Sequence, residues 1–205
     1  GVISALLTML TEYGTMSFRQ VASDAYERAN GGFPAYQLFC RALTTSERIA
    51  NIQSYPETAR IFRPGGQPPA LGTIFKQSDL ANTISQMIQA EDGALSGGAS
   101  REDGIQAARD IFYKGTIAER MVTALKDLGG LYEIADFADY TSPLEEPIST
   151  TYRGYQIFTN RTWTQGIVLL QALKILEGHD LAALGHNTPQ AIHLQVEALK
   201  LAFAD

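Results

Sequence analysis

Apolar residues recur at helical spacing along most of the chain, with glycine, proline and short polar stretches between the periodic runs. Val2, Leu6, Met9 and Leu10 share one face of a helix predicted over Val2–Tyr13, and Gly14 stops it. Ser17-Phe-Arg-Gln20 is a capping-box pattern, in which the hydroxyl takes an orphan N–H and Gln20 reaches back. The helix it opens runs to about Ala29 and ends at Gly31-Gly32. Pro34 suits the first turn of a helix running to about Gln53, with Leu38, Phe39, Ala42 and Leu43 inward; Pro56 starts a short turn to Phe62. Further on, Ser78 is expected to cap Asp79–Ala90, where Leu80, Ile84, Met87 and Ile88 keep the helical period. Glu91–Arg101 is polar and glycine-rich and predicts a mobile loop. Ser100-Arg-Glu-Asp103 opens a helix to about Tyr113, and Gly115 breaks it at an expected positive φ. Thr116-Ile-Ala-Glu119 then reads as a capping box heading a helix that runs to Gly129-Gly130, with a short helix at Glu133–Asp139 after it.

Only Ile148–Thr159 alternates like a strand pair, with Arg153-Gly154 at the turn of a hairpin. An apolar helix follows at Ile167–Glu177, stopped by Gly178, then one helical turn at Asp180–Leu184. Thr188-Pro189 supplies an N-cap and a first-position proline for a last helix that runs to Asp205. The fold class is therefore mainly α, with one small β-hairpin. The sharpest punctuation is Pro64–Gly72, where three prolines and three glycines fall within nine residues. Fixed φ at proline and permitted positive φ at glycine require a shaped turn there.

A chain of 205 residues is long enough to bury about 70% of its unfolded surface without a staple. The single cysteine, Cys40, has no internal partner and is expected to be a small buried apolar residue. The net charge of −6, with no basic cluster, argues against nucleic acid as a partner. The longest apolar run, Ile167–Leu170, is far too short for a membrane span. No signal-peptide pattern falls within residues 1–205, a targeting segment being expected upstream if there is one, so the compartment stays open between periplasmic or extracellular and cytoplasmic. The chain starts at Gly1 without an initiator methionine and stops inside a helical pattern, which reads as a fragment, a processed chain or a cropped domain.

Candidate chemistry is sparse. His179, His186 and His193 are spaced by seven, but Gly178, Gly185 and Pro189 prevent one continuous helix. His193 and Glu197 at i, i+4 could share a metal, against the plainer reading of a surface pair. Gly65-Gly66 beside Arg63 could form an anion nest, against the plainer reading of a rigid connector. The acidic pairs Glu91-Asp92, Glu102-Asp103 and Glu145-Glu146 fall at expected loops or helix starts and read as solvated faces. No Gly-x-Ser-x-Gly elbow occurs. By chemistry alone the chain offers no complete catalytic set, and no cofactor or metal site is expected.

Seven ordered motifs add a resemblance. Arg63-Pro-Gly-Gly-Gln-Pro-Pro-Ala-Leu-Gly72, Gln77-Ser-Asp-Leu-Ala81, Phe112-Tyr-Lys-Gly-Thr-Ile-Ala118, Leu128-Gly-Gly-Leu131, Asp136-Phe-Ala-Asp-Tyr140, Tyr152-Arg-Gly-Tyr155 and Glu197-Ala-Leu-Lys-Leu-Ala-Phe-Ala-Asp205 resemble the gamma-glutamyltransferase (gamma-glutamyltranspeptidase) family in order and approximate spacing. Leu169-Leu-Gln171 and Ile175-Leu-Glu177 fit the same register. The resemblance covers nearly the whole chain and implies the large-subunit part of an αββα N-terminal-nucleophile hydrolase. On this reading residues 1–77 form a helical block, 78–145 a helical insert and 146–205 the hairpin with its helices.

Such enzymes cleave their own precursor before a threonine, whose hydroxyl then attacks a gamma-glutamyl amide such as glutathione. The partner implied is the small subunit of the same precursor. The amide substrate is expected to be contacted mainly by other parts of the protein. The family's substrate-binding arginine is expected upstream of Gly1, and its nucleophile and oxyanion groups downstream of Asp205. No catalytic residue is therefore expected among residues 1–205. Arg63 and Arg161 are tempting carboxylate partners, but a structural role is preferred for each. Asn160-Arg-Thr-Trp-Thr-Gln-Gly166 and the lengthened Glu91–Asp110 link depart from the family pattern. These departures keep open an amidase or acylase acting on another amide, such as a cephalosporin side chain or a small amidic acid. A catalytically inactive helical interaction module is the alternative of a different class.

Overall fold

The computed structural model describes all of residues 1–205. The chain divides into two units, Gly1–Ser142 and Pro143–Asp205. The first holds nine helices and a short strand pair; the second holds a hairpin and two helices.

In the first unit, α1 (Val2–Tyr13) and α2 (Phe18–Gly31) open the chain. Ser17 caps α2 as expected: its Oγ accepts from the Gln20 N–H and Gln20 Oε1 accepts from the Ser17 N–H at 2.9 Å. Gly32, at φ 86, ends the helix where an added Cβ would strike Ile74 and Phe75. The expected helix from Pro34 to Gln53 does not form as one piece. Phe33–Pro34 is instead a strand, β1, paired antiparallel with β2 (Ile74–Phe75). Helix α3 (Gln37–Ala42) follows β1, then a break, then α4 (Ser46–Gln53) and α5 (Pro56–Phe62). At the break, Thr44 Oγ1 donates to the Arg41 carbonyl, a local bond that competes with the helix ladder. Leu43 is buried, but Leu38, expected inward, is exposed.

The β1–β2 pair gathers an aromatic cluster. Phe75, almost fully buried, lies 4.9 Å from Phe39 and 5.7 Å from both Phe33 and Phe62, between ring centroids. Those separations suit edge and offset aromatic packing. This cluster makes the strand pair worthwhile, because two residues of ladder would not hold alone.

Helix α6 runs from Ser78 to Ser96, so the expected loop at Glu91–Arg101 is largely helix. Ser78 is inside that helix, and no side chain caps its start. Tertiary packing overrides the glycine at 93: Glu91 is completely buried, and its two oxygens accept from the Phe18 and Arg19 N–H groups, each at 2.6 Å. Those are the first two amides of α2, which have no partner inside their own helix. Next to it, Arg19 pairs with Asp92 through both Nε and Nη2 and holds that carboxyl below the usual carboxylate range.

Helix α7 (Arg101–Tyr113) starts with the expected box, Ser100 Oγ accepting from the Asp103 N–H at 3.1 Å. It lies close on α6 because Gly104 has no side chain; a Cβ there would come within 3.2 Å of Glu91 Cγ and 3.0 Å of Leu95. It also holds α1 at both ends. The Arg101 guanidinium donates to the carbonyls of Leu10, Thr11 and Met16, and Tyr113 Oη accepts from the buried Ser4 N–H. Leu7, Met87, Ile105, Ala108 and Ile117 form the core between these helices and α8 (Thr116–Asp127). Thr116 is not a cap; Gly115 occupies the N-cap position, without a side-chain bond. Nor does Gly115 have positive φ: its φ is −103, extended backbone. Close approach explains the glycine, since a Cβ would lie 2.9 Å from Ile111 Cδ1 and 3.0 Å from the Ile111 carbonyl. The short α9 (Ile134–Ala138) follows, with Asp136 accepting from the Glu133 N–H.

In the second unit, β3 (Ile148–Tyr152) and β4 (Tyr155–Thr159) pair antiparallel with Tyr152 opposite Tyr155. Arg153 at φ 49 and Gly154 at φ 85 form the two-residue turn, as the left-handed requirement of a tight hairpin demands. Glu177, at the end of α10 (Gly166–Glu177), accepts from the Arg153 N–H at 2.8 Å and pairs with Lys174. The last helix, α11 (Pro189–Ala204), packs its small side, Ala191, Ala198 and Ala202, inward. Thr188 caps it as expected, accepting from the Ala191 N–H at 3.2 Å.

Two outcomes follow for the full-length protein. Replacing Glu91 by Gln sets an amide donor against a backbone donor and removes the charge. It is expected to destabilise by about 2–3 kcal/mol, read as a lower urea midpoint at unchanged m value, whereas a shift under about 0.5 kcal/mol contradicts this role. Gly115→Val is expected to cost roughly 1–3 kcal/mol through overpacking against Ile111, and an unchanged melting temperature would remove that contact as the reason for glycine.

Candidate functional site

The Pro64–Gly72 segment is the first candidate. Pro64–Gly66 makes one 3-10 turn, with Gly65 at φ 67 and Gly66 at φ 79, and Gly72 turns again at φ 81. Those values demand glycine. The Gly66 N–H is already bonded to the Arg63 carbonyl at 2.8 Å. The Arg63 side chain turns inward, 7% exposed, and donates to the carbonyls of Leu43 and Gly66. A guanidinium spent on two backbone carbonyls and buried under the turn is not free to meet a substrate carboxylate. Leu43 offers its carbonyl because the chain breaks between α3 and α4, so the break and the arginine explain each other. The geometry is that of a connector: the Gly72 N–H bonds the Ala35 carbonyl and the Ala35 N–H bonds the Thr73 carbonyl, both at 2.8 Å. Beside it, a cleft of about 440 Å³ is crossed by Arg60, which pairs with Glu57 at 2.8 Å and Asp79 at 2.6 Å.

The histidines do not converge. His179 follows α10 and offers its carbonyl to Arg153 Nη2; His186 lies in a turn; His193 sits on α11. Glu197 turns to Lys200 Nζ at 2.8 Å, and that bond holds its carboxyl below the usual range. No three His, Cys, Asp or Glu side chains come together as a metal site would require.

The acidic pairs split. Glu102 pairs with Arg101, and Glu145 accepts from Trp163 Nε1 at 3.2 Å, all near solvent. Glu91 contradicts the expectation of a solvated face. It fills the anion-binding start of a helix with a carboxylate of the same chain. Arg161 donates to the Glu146 carbonyl at 3.1 Å and is exposed, so it organises the approach to α10.

One polar cluster escaped the sequence reading. Arg109 sits over the Tyr113 ring at 4.8 Å, donates to the Tyr140 carbonyl, and lies 3.4 Å from Ser4 Oγ. Tyr113 in turn stacks on Tyr140 at 5.9 Å. Its only sequence signal was that Tyr113 and Tyr140 both fall in recurrent motifs. A cavity of about 410 Å³ beside Arg109 is lined by Thr8, Thr11 and Lys114 among others. Lys114 is paired with Asp110 at 3.1 Å. Arg63, Glu91, Arg101 and Arg153 are each occupied with backbone groups at helix ends and turns. No nucleophile is paired with a base in the arrangements described.

This helical architecture and its motifs have counterparts. The gamma-glutamyltranspeptidase family model matches residues 1–205, and the chain belongs to that family. It is 33% identical over its whole length to the glutathione hydrolase-like YwrD proenzyme of Bacillus subtilis, covering 35% of that protein. It is 32% identical, again over its whole length, to the acylase ACY 1 proenzyme of a Pseudomonas species, covering 34% of it. The crystal structure of Helicobacter pylori gamma-glutamyltranspeptidase superposes with a TM-score of 0.85 at 28% identity, over 100% of this chain and 54% of that one. The chain thus spans about a third of the length of the curated relatives it matches.

Proposed function

We propose that the full-length protein is a self-processing amide hydrolase and acyl transferase of the gamma-glutamyltransferase type, and that residues 1–205 are a structural portion of its large subunit. The family match across the whole chain carries this reading. In it, the precursor cuts itself before a threonine. The new threonine hydroxyl attacks the carbonyl of a gamma-glutamyl amide, its own α-amine taking the proton. The amine leaves, and the acyl group passes from threonine oxygen to water or to an amino acceptor.

No residue of this chain enters those steps. Arg63 and Arg161 hold backbone carbonyls, and the buried Glu91 is bound to amides. The names of the relatives support the reading: both curated proteins are called proenzymes, and each is about three times as long as this chain. The companion small subunit is the partner in this account, and no cofactor enters it. No helix is long and apolar enough to cross a membrane.

A second reading changes only the substrate. An acylase matches this chain about as well as the glutathione hydrolase-like relative does. The Asn160–Gly166 approach to α10 carries an exposed Trp163 where the family is expected to be proline-rich. The loop departure favours an amide other than glutathione.

Intact-mass analysis of the purified full-length protein tests the proposal. Two fragments are expected, the smaller starting with threonine, together with release of nitroaniline from a gamma-glutamyl nitroanilide. Cleavage without anilide turnover points to the second reading. A protein that stays in one piece and releases no nitroaniline overturns both, and leaves the inactive helical module.

A further inference from the structure

Helix α1 carries two apolar rows side by side, roughly 100° apart around its axis. Ile3, Leu7 and Leu10 face the core, while Val2, Leu6, Met9 and Tyr13, spaced i, i+4, i+7 and i+11, stand 73%, 51%, 54% and 74% exposed. Its one charged residue is Glu12. Ser4, Thr8, Thr11 and Glu12 take the remaining side, so the apolar arc is wider than the strip that faces the core. Leu6, Met9 and Tyr13 of that exposed row line one side of a groove of about 550 Å³, which Phe18 and Val21 of α2 and the buried Met87 also line. None of the thirteen lining residues is charged. Continuous apolar surface of this kind marks a place where other polypeptide sits.

We propose that the α1–α2 groove is occupied by the remaining part of the same polypeptide, the two-thirds that the relatives possess beyond the region matched here. The inference rests on the reading of the chain as part of a longer proenzyme. Two observations select this occupant over a second copy. The curated relatives leave roughly two-thirds of their length unaccounted for by this chain, enough to cover far more than one groove. The second unit also carries an apolar row without a partner in this chain: Ile192, Val196, Leu199 and Phe203 of α11, each more than two-fifths exposed, beside its buried alanines. A two-fold dimer uses one self-complementary patch. Apolar rows on both units suit one chain that continues over them. The occupant must itself be apolar along its contact, because the groove offers no charge and no side-chain hydrogen-bond group beyond the Tyr13 hydroxyl.

Thiol protection in the full-length protein tests this. In a background with Cys40→Ser, and any other cysteine replaced, Met9→Cys is introduced, with Glu27→Cys on the polar side of α2 as the reference. Val21→Cys, nearly isosteric, keeps the test alive if the Met9 variant does not fold. In the folded protein, maleimide labelling of Met9→Cys or Val21→Cys is expected to be at least a hundredfold slower than in urea, at every protein concentration. Labelling at the urea rate, or at the Glu27→Cys rate, overturns the proposal. Protection that appears only where sedimentation shows dimers overturns it in favour of a second copy. Protection in a protein that never cleaves itself would sink the catalytic reading and leave this one standing.

Discussion

One buried carboxylate holds this scaffold in register. Glu91 forms no salt bridge; it is held by the open start of α2, where two backbone amides point at its oxygens. An unsatisfied helix start and a buried anion are each costly alone, and each removes the cost of the other. The consequences spread outward. Helix α6 must continue past Gly93 to deliver Glu91, and α7 must carry a glycine at 104 to lie over it. The same device recurs one layer on, where α7 holds α1 by its two ends. Arg101 takes the carbonyls at one end and Tyr113 the Ser4 amide at the other, across a helix roughly 18 Å long. The helices of the first unit therefore close each other's ends as well as packing their sides.

That logic also separates what the sequence disclosed from what it hid. Caps made within four residues were legible: Ser17 with Gln20, Ser100 with Asp103, Thr188 with Ala191, and the Arg153-Gly154 hairpin turn. Each is a local contest between a side chain and the backbone beside it. Caps made across seventy residues or more were not. Glu91 read as a loop acid because Asp92, Gly93 and the later glycines suggest a surface, and nothing nearby announces the α2 amides. Pro34 read as a helix start because the strand partner Ile74–Phe75 lies forty residues on. Thr116 matched a capping pattern, but the helix took it in as its first residue. Gly115 was correctly singled out for the wrong reason: the crowding of Ile111, rather than a positive φ, excludes a side chain.

The candidate site shows the same division. Pro64–Gly72 was recognisable as a shaped turn from composition alone, and it belongs to the string of motifs that marks the family. Its arginine could have been a substrate clamp on sequence grounds. Only the fold shows that the break after α3 presents the Leu43 carbonyl to it. In a family whose members include a glutathione hydrolase-like proenzyme and an acylase, this region reads as support. Charged groups are used on helix ends and turns, and the apolar rows of α1 and α11 are left facing outward. On the proposed function, this scaffold supports chemistry that other segments perform.

Amide hydrogen exchange at Phe18 and Arg19 in the full-length protein bears most directly on the Glu91 closure. First-turn amides ordinarily exchange by fraying, with little protection. Bonded to Glu91, both are expected to open only with the core, at the rates of the amides around Ile105 and Ala108. Exchange of the two at the rate of a frayed helix end would show that the carboxylate does not close the helix, and the account of the scaffold would fail with it.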